Sequence, residues 1–479
     1  MKKFYHVKLA VIIFIVFFIY SNSFSQLSGT YTIGVGGDYI TITSAVSALV
    51  TNGVNGPVIF NIKSGRYDES VTLDSIPGTS ITNTVTFQSQ SGNPDDVVWN
   101  TTNTSQAFLL NIRKADNITF TKLSLLDSTL SDRYLRIIVQ MSGKIDNLKF
   151  IGNKFLQYYF NYNVVSIYAN SSTRTTNFIV SQNNFYNNRG LIFEESSLRS
   201  PGTQITGNSF QGSYNLRLAR HDDLLIQDNN LGAYESILYA GPVSIFLSSC
   251  NGNLRIIKNK IKAQSGFHGY GFGISLSGCN CTSSIIANNF AVCSDNGNSI
   301  NASNCSNLNF YYNSFYCYGQ FGSNFKIVNC SNSTVKNNIL SGSISSYENS
   351  SNSNFSSNYN VFSPYGTYFA YYNGTGYSDI SLFRTASNND FNSRIKLVDF
   401  VNVAAGDLHL APSSIGDTNL RGTPVALVTD DIDGDTRDPN NPTIGADEPP
   451  YPTNITVDIG LLIEGFYNSI SDYQGSDSV

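Results

Sequence analysis

The feature that most constrains this chain is a short pattern that recurs eight times between residues 148 and 339. Two apolar residues are separated by one other residue. After two further residues comes Asn, and one residue beyond it stands another apolar side chain. Successive Asn residues lie 21 to 30 residues apart, with a mean near 26. The Asn and apolar pairs are Asn153/Phe155, Asn183/Phe185, Asn208/Phe210, Asn229/Leu231, Asn259/Ile261, Asn288/Phe290, Asn313/Phe315 and Asn337/Ile339.

A repeat of this length with two-residue alternation inside each unit is typical of a solenoid built from short parallel strands. The repeated Asn fits a sharp bend between strands, because Asn tolerates left-handed backbone. Its amide can also hydrogen-bond the equivalent Asn of the next coil, about 4.8 Å away. The sequence therefore predicts an all-β fold, a right-handed parallel β-helix of roughly ten coils.

A leucine-rich-repeat-like solenoid is the alternative, since its repeats have a similar length and also contain a recurring Asn. That fold spends the rest of each repeat on a helix or tight turn. Here the remainder is extended and polar, as in residues 273–277 and 299–303, and contains few helix formers. The pattern therefore favours the parallel β-helix.

The N-terminal part of the array carries a family resemblance. Residues 36–49 predict a short amphipathic helix with Ser44 as N-cap, which could cover the open end of a solenoid. Apolar residues 58–62 and the Gly65, Tyr67, Glu69 pattern follow and predict the first strands. This opening resembles the pectin-lyase-like superfamily of right-handed parallel β-helices.

The C-terminal part resembles the closing motif of exported bacterial β-helix proteins of the Bacteroidetes surface type. The resemblance rests on residues 407–410, 430–437 and 444–448. We therefore expect one β-helix unit over residues 26–448. Residues 449–479 are interpreted as a Pro-rich linker and the start of an incomplete further module, as expected of a truncated gene product.

The first 25 residues are interpreted as a signal peptide. Three lysines precede an apolar run at residues 9–20, and Ser23-Phe24-Ser25 has the small-residue pattern of a cleavage site. The run of 12 residues is shorter than the roughly 20 needed to cross a bilayer. We therefore predict an exported protein, extracellular or at the cell surface, without a membrane span in the mature chain.

The charge balance argues against nucleic-acid partners. Only 13% of residues are charged, the formal net charge is −5, and removing the three leader lysines gives −8. Attraction to phosphate backbones or anionic lipid is therefore not expected. We expect a monomer.

The spacing of the seven cysteines matches the length of the repeat. Cys281, Cys305 and Cys330 are spaced by about one coil, Cys250 and Cys279 hold similar places earlier, and Cys293 and Cys317 form a second series. Stacked coils would place such residues in buried columns, where a free thiol packs as a small apolar group. We predict reduced columns, with inter-coil disulfides as the alternative.

The superfamily resemblance implies a search for sugar-degrading chemistry. No esterase set is present. Asp222-Asp223, His268-Gly269 and residues 394–396 are similar to polygalacturonase dipeptides, but they lie several coils apart and could not act on one bond. A lyase needs basic and acidic side chains close together, and one group of charged residues lies on consecutive coils. That group is Glu194, Glu195, Arg217, Arg220, His221 and Asp222. The alternative is a solvated face, so no catalytic residue is assigned.

One weak metal motif occurs near the C-terminus. Asp431, Asp433 and Asp435 alternate in a predicted tight turn, which in composition resembles a calcium loop. The alternative is that these carboxylates cap the turn and pair with Arg437. Calcium is the single cofactor that the sequence indicates.

Tyrosine-rich stretches at residues 158–162, 311–318 and 365–372 suggest a binding role. Exposed aromatic rings beside amides suit sugar rings, whereas aromatic ladders inside the coil are the alternative. We therefore predict an exported, adhesin-like scaffold that binds a polysaccharide or cell-surface glycan. The alternative function is a polysaccharide lyase or glycoside hydrolase acting on a uronate-type polymer.

Overall fold

The computed structural model describes residues 25–449, except 103–104, 130–135, 158–163, 187–188, 213, 235–242, 265–270, 294–296, 319–322 and 343–344. Nearly all of the predicted signal peptide, and of the predicted linker and incomplete module, therefore lies outside the described residues. The same is true of Tyr158 to Tyr162 and of His268.

The chain winds through three long sheets in turn, so that each coil adds one strand to each sheet. Strands of the first sheet are Leu27–Ile33, Val54–Ile62, Val85–Ser89, Ile118–Thr121, Lys149–Ile151, Ile179–Ser181, Gln204–Thr206, Leu225–Gln227, Asn251–Ile257, Asn280–Ala287, Asn309–Tyr311, Thr334–Lys336 and Ser356–Asn358, with Ser200–Pro201 and His221–Asp222 attached beside them. Strands of the second sheet are Gly65–Asp68, Val97–Thr101, Ser124–Asp127, Lys154–Gln157, Asn184–Tyr186, Ser209–Gly212, Asn230–Tyr234, Lys260–Gln264, Phe290–Cys293, Ser314–Cys317, Ile339–Gly342, Val361–Pro364 and Arg394–Ile395. Strands of the third sheet are Val71–Leu73, Phe108–Arg113, Arg136–Ser142, Val164–Ala169, Arg189–Phe193, Tyr214–Ala219, Val243–Ser248, Phe272–Ser277, Asn298–Ser303, Ser323–Val328, Ser345–Ser350, Ala370–Tyr372 and Thr375–Tyr377.

Two small sheets and five helical segments complete the described structure. The small sheets pair Lys144–Asp146 with Arg174–Thr176, and Phe400–Asn402 with Asp407–Leu410. The helices are Ile42–Asn52 and Ile380–Ser387, with 3-10 turns at Pro94–Asp96, Val403–Ala405 and Thr418–Leu420. Neighbouring strands of the long sheets pair in parallel, with one antiparallel exception between the last two strands of the third sheet. The predicted parallel β-helix is confirmed, and the leucine-rich alternative is wrong because the coils are made of strands.

The interior is built by stacking equivalent apolar side chains of successive coils. In the first sheet, Phe60, Phe87, Phe120 and Phe150 follow one another with ring centroids 4.9 to 5.3 Å apart. The alternation seen in sequence turns these rings inward, because neighbouring residues of a strand point to opposite faces. Each buried ring contributes roughly 2 to 3 kcal/mol of apolar burial relative to exposure.

An Asn ladder runs along the bend between the first and second sheets. After the first rung, each amide oxygen accepts hydrogen bonds from the backbone N–H and the side-chain amide of the preceding Asn, as Asn183 Oδ1 does from Asn153 at 2.8 and 3.1 Å. The ladder consists of Asn153, Asn183, Asn208, Asn229, Asn259, Asn289, Asn313, Asn338 and Asn360.

Two of the predicted Asn positions were wrong by one residue. Asn289 and Asn338 stand in the ladder, whereas Asn288 and Asn337 precede it with φ of 55° and 61°. The left-handed backbone predicted for the ladder Asn therefore belongs to the residue before it. That residue makes the bend and points outward, so the following Asn can point inward and reach the next coil.

The N-terminal end is closed by the helix Ile42–Asn52, as predicted. Its N-cap is Thr41 and not the predicted Ser44, which is the third helical residue and completes a capping box by accepting from the Thr41 backbone N–H at 3.3 Å. The Glu69 carboxylate accepts from the backbone N–H groups of Ile42 and Thr43 at 3.0 and 2.8 Å. Glu69 of the Gly-x-Tyr-x-Glu motif therefore fixes this helix to the first coil.

The C-terminal end is closed by a second helix, Ile380–Ser387, which the sequence analysis missed. Asp379 caps its N-terminus and Asn388, with φ of 52°, ends it. The fully buried Phe383 packs edge-on against Phe369 of the last coils, with ring centroids 5.2 Å apart. The Asp379 and Asn388 pair is a helix signal that could have been recognised.

The segment predicted to close the solenoid instead runs back along its side. Residues 396–448, which we call the strap, cover the outer face of the second sheet over its last coils. Leu408, Ile432 and Ala446 bury Phe290 and Val292. A second apolar cluster joins the strap to the outer face nearer the C-terminal end, namely Ile339, Val361, Val398, Leu410, Leu420 and Ile444.

Cysteines form a buried column, though not with the members predicted. Cys279, Cys305 and Cys330 are in register, since the Cys279 backbone N–H donates to Cys305 Sγ at 3.3 Å and that of Cys305 to Cys330 Sγ at 3.4 Å. Cys250 adjoins Cys279, and hydrogen bonding to that thiol is the main reason that the pKa of Cys250 is raised. Cys281 lies two residues beyond the column. Cys293 and Cys317 pair in register in the second sheet as predicted.

Candidate functional site

The outer face of the third sheet carries a column of four exposed or half-buried side chains followed by one buried serine. Strand registers place Tyr168, Ile192, Arg217, Phe246 and Ser275 at equivalent outward positions of successive coils. Four strand spacings of about 4.8 Å give this column a length of roughly 19 Å. It is long enough to contact an extended chain ligand over several units.

Two arginines and two aromatic rings make up the centre of this face. We call Arg189, Tyr214, Arg217 and Phe246 the arginine strip. The Arg189 guanidinium carbon lies 5.5 Å from the Tyr214 ring centroid, and that of Arg217 lies 5.6 Å from the Phe246 centroid. These distances are within the range of cation–π attraction, which holds both guanidinium groups over the sheet.

The arginine strip carries uncompensated positive charge. Within the described part of the chain, neither guanidinium has a carboxylate within ion-pair distance, and the buried Nε of Arg189 has no hydrogen-bond partner. Burial lowers the pKa of Arg189, and the nearby Arg217 charge acts in the same direction. Arg217 is exposed, so its guanidinium can be reached by an anionic ligand on a protein whose net charge is −5.

An acidic group borders the strip at the end of the Arg189 strand, next to Tyr168 of the preceding coil. The Tyr168 hydroxyl is hydrogen-bonded to the Glu194 carboxylate. Burial, together with this hydrogen bond and the carboxylate charge, raises the pKa of Tyr168 to about 12. The face therefore has a cationic centre and a carboxylate at one edge.

The charged residues predicted to share one face are separated by the structure. Arg217 and Glu194 lie on the outer side of the third sheet, whereas Asp222 pairs with Arg199 at 2.6 Å beside the first sheet. Arg220 and Glu195 approach to 3.8 Å in the connection between these sheets. The group predicted for a lyase therefore does not form one constellation.

His221 belongs to the interior. Its ring is fully buried, packs edge-on against Phe193 with centroids 4.8 Å apart, and shares a hydrogen bond with the Thr203 hydroxyl at 2.9 Å. Burial lowers the pKa of His221 to about 3. A neutral, enclosed imidazole has a packing role here.

The polygalacturonase-like dipeptides remain far apart. Asp222 and Asp223 lie beside the first sheet, whereas Arg394 and Ile395 form the last strand of the second sheet. Six strand spacings separate their coils, which is on the order of 29 Å. His268 lies outside the described residues.

The predicted calcium loop has its carboxylates engaged elsewhere. Asp431 Oδ1 accepts from the backbone N–H groups of Asp433, Gly434 and Asp435 at 2.8 to 2.9 Å, and Oδ2 accepts from that of Glu448. Asp433 contacts His409 and Lys260. In the described ranges no group of three His, Cys, Asp or Glu residues is placed to hold a metal ion. The geometry fits a capped turn, and calcium binding stays a prediction.

Arg437 pairs with a residue other than those predicted. Its Nη1 lies 3.1 Å from Glu448 Oε2, and both side chains are almost completely buried. The Asp residues of the turn act instead on the backbone and on His409.

The predicted tyrosine stretches divide into packed and exposed rings. Tyr312 is fully buried and its hydroxyl donates to the Thr423 carbonyl at 2.8 Å. Tyr318 and Tyr365 are exposed and lie near Tyr316. Both earlier interpretations therefore apply, to different residues.

A groove of about 440 Å³ lies beside the N-terminal helix, between Ile40 and Arg66. Its polar groups already have partners: Glu69 caps the helix, the Tyr67 hydroxyl donates to the Lys63 carbonyl, and Lys63 Nζ donates to the Val35 carbonyl at 3.0 Å. The arginine strip is the better candidate because, among the described residues, its guanidinium groups pair with no carboxylate.

Arg189, Tyr214 and Phe246 were missed as site residues in the sequence analysis. They are separated in sequence by connections of unequal length, so their neighbourhood depends on the strand register. Phe246 lies between the buried residues Ile245 and Leu247, so the alternation could have marked it as outward-facing. Arg189 and Tyr214 lie two residues before the buried Leu191 and Leu216, so the alternation alone would have turned them inward.

Comparison with known proteins adds likenesses of fold. No family model and no curated protein matches the chain. The Dettilon tailspike protein is similar with a TM-score of 0.39 and 12% identity, over 73% of this chain and 66% of that one. A PL6-family alginate lyase is similar with a TM-score of 0.38 and 11% identity, over 81% of this chain and 56% of that one. Pectin methylesterase from Aspergillus niger is similar with a TM-score of 0.25 and 14% identity, over 80% of this chain and 95% of that one. No helix of the described segments is long and apolar enough to cross a membrane. The strand registers, and not these likenesses, establish the parallel β-solenoid.

Proposed function

We propose that this protein is an exported surface scaffold that binds an acidic glycan along the outer face of its third sheet. The observation that carries the proposal is the arginine strip, where two guanidinium groups lie over aromatic rings without a carboxylate partner in the described structure. Export rests on the predicted signal peptide.

The chemistry of the strip suits a sugar acid. Guanidinium N–H groups match carboxylate oxygens in a bidentate geometry, and aromatic rings suit the apolar faces of sugar rings. Arg217 and Phe246 are adjacent in one column, and Arg189 and Tyr214 lie beside it. A glycan chain lying along the coil axis would therefore meet charge and apolar surface on successive coils.

A charge-matched pair of variants tests this proposal. Arg217→Gln removes one charge from the strip, and Arg255→Gln removes one exposed charge from the first sheet. We expect Arg217→Gln to weaken retardation by polygalacturonate or alginate in affinity electrophoresis at least tenfold, and Arg255→Gln to leave it unchanged. Equal effects of the two variants, or no retardation of the native protein, would overturn the proposal.

A polysaccharide lyase is the second candidate, supported by one specific observation. A lyase needs a base near a cationic group that offsets the uronate charge, and burial lowers the pKa of Arg189 beside Arg217. Incubation with uronate polymers would then produce unsaturated ends that absorb in the ultraviolet, and Arg189→Gln would abolish them. Absence of product with a panel of uronate polymers decides for the scaffold.

A further inference from the structure

Three tyrosines meet on the second sheet, on a face other than that of the arginine strip. Tyr316 belongs to the strand Ser314–Cys317, and Tyr318 follows it directly. Tyr365 follows the strand Val361–Pro364, two coils further on. We call Tyr316, Tyr318 and Tyr365 the tyrosine cluster.

The backbone holds the two outer tyrosines in equivalent positions. The Tyr318 N–H donates to the Cys293 carbonyl at 2.9 Å, and the Tyr365 N–H donates to the Gly342 carbonyl at 2.8 Å. Each bond continues the parallel ladder by one residue beyond its strand. Both rings therefore project from rigid positions of the sheet.

The rings form a continuous row. The Tyr316 centroid lies 4.8 Å from that of Tyr318 and 6.2 Å from that of Tyr365, with interplanar angles of 65° and 60°. Phe400 of the strap supports Tyr316 from the side, with centroids 6.4 Å apart. The strap thus fixes the central ring and leaves the outer two open.

Exposure distinguishes this row from the packed ladders of the interior. Tyr318 is 42% exposed and Tyr365 is 58% exposed, whereas Tyr312 and Tyr347 are fully buried. Held in place yet open to solvent, the outer rings have apolar surface that a ligand could cover.

The cluster is poor in charge. Burial raises the pKa of Tyr318, and the phenol of Tyr365 adds to this effect. Burial also raises the pKa of Tyr316, followed by the effects of Tyr365, Tyr318 and the Cys317 thiol. A hydrogen bond to the Tyr365 phenol helps to raise the pKa of Tyr316. The cluster therefore offers aromatic faces and neutral hydroxyl groups.

We propose that the tyrosine cluster is a second carbohydrate site, which takes the uncharged sugar rings of a neutral glycan chain. Stacking would occur on Tyr318 and Tyr365, and the phenol hydroxyls would hydrogen-bond sugar hydroxyls. The inference rests on the proposed glycan-binding function, but on a different face and a different ligand chemistry.

The probe is a soluble neutral β-glucan, hydroxyethyl cellulose, in affinity electrophoresis with the full chain. Tyr318→Ala and Tyr365→Ala should each weaken retardation about fivefold to tenfold, and Tyr365→Phe should retain most of it because the ring remains. Leu427→Ala removes an apolar side chain of the strap that is more exposed than either tyrosine, and is the control, with no expected effect.

The two sites can fail separately. Arg217→Gln should leave hydroxyethyl cellulose binding unchanged, and Tyr365→Ala should leave polygalacturonate binding unchanged. Thermal melting checks that the alanine variants are folded. If the native protein does not bind hydroxyethyl cellulose, or if both tyrosine variants bind it as the native protein does, the second site is refuted whatever the acidic probe shows.

Discussion

The Arg437 guanidinium lies over the ring of Tyr312, with its central carbon 4.0 Å from the ring centroid. These residues are 125 positions apart in sequence, and their contact joins the strap to the bend of the Tyr312 coil. Arg437 also pairs with Glu448 at 3.1 Å and donates to Asn288 Oδ1 at 2.8 Å. One buried cation therefore ties the strap to two neighbouring coils.

Replacing this cation should loosen the strap. We expect Arg437→Met to lower the free energy of unfolding by about 3 to 5 kcal/mol, because Glu448 is left buried without its partner. Urea denaturation measures the loss. Arg66→Met, which removes an exposed pair with Asp68, is the control and should cost less than about 1 kcal/mol. Similar losses in the two variants would contradict the role given to Arg437.

Substitution of an Asn at the centre of the ladder should lower the free energy of unfolding. Asn229 accepts from Asn208 and donates to the Ile205 carbonyl and to Asn259 Oδ1, all within 3.0 Å. Asn229→Ala leaves these buried groups without partners, so we expect a loss of roughly 2 to 4 kcal/mol in denaturant unfolding. Asn61→Ala, on the outer face, should cost far less. A ladder that matters little would show equal, small losses.

His409 should make stability depend on pH. Its ring contacts Asp433 at 2.5 Å and also Asp407, and it packs edge-on against Phe290. Burial lowers the pKa of His409, but the hydrogen bonds to Asp433 and Asp407 outweigh it and the net shift is upward. The protonated ring therefore stabilises the strap below the ordinary histidine pKa, and this contribution is lost as pH rises through the folded-state pKa. Unfolding of His409→Gln, followed from pH 5 to 9, should lack this part of the slope.

Asp390 should also make stability fall as pH rises, but for a different reason. Its carboxyl is fully buried at the end of the Asn ladder, where Oδ1 accepts from Ser357 and Ser393, and burial raises its pKa. The contribution of this carboxyl to folding stability is full while it is protonated, and it is lost as pH rises through the raised pKa. Asp390→Asn should therefore be more stable than the native protein at neutral pH. A less stable variant at pH 7 would show that the charged form is well accommodated.

The thiols should be free. Cys305 Sγ donates to the Ser303 carbonyl at 3.1 Å and Cys317 Sγ to the Gly297 carbonyl at 3.2 Å, so the columns are held by hydrogen bonds without disulfides. Alkylation of the denatured, unreduced protein, read by mass spectrometry, should label all seven cysteines. Fewer than five labelled residues would establish inter-coil bridges.

Much of the fold could be predicted because its causes lie within one coil. Phe155 and Phe185 follow their Asn residues at the same offset, and in the structure their rings stack 4.5 Å apart. The Gly65, Tyr67 and Glu69 pattern likewise placed the first coil beneath its helix. Such features depend on neighbours a few residues away, which a pattern records directly.

The site could not be predicted, because its residues meet across coils of unequal length. Arg189 and Tyr214 are 25 residues apart, and only the register of their strands brings the guanidinium over the ring. For the same reason the tyrosine cluster needed Tyr365 from two coils beyond Tyr318.

Local pattern alone determined that this chain alternates, bends and stacks, since strand period and the bend chemistry of Asn are properties of short segments. Tertiary structure decided which of two adjacent Asn residues enters the ladder, because Asn288 and Asn337 are held outside by Asp430 and Thr423 of the strap. It also decided which side chains share a face. Contacts between distant segments select among local alternatives of similar energy, and a repeat cannot encode that selection.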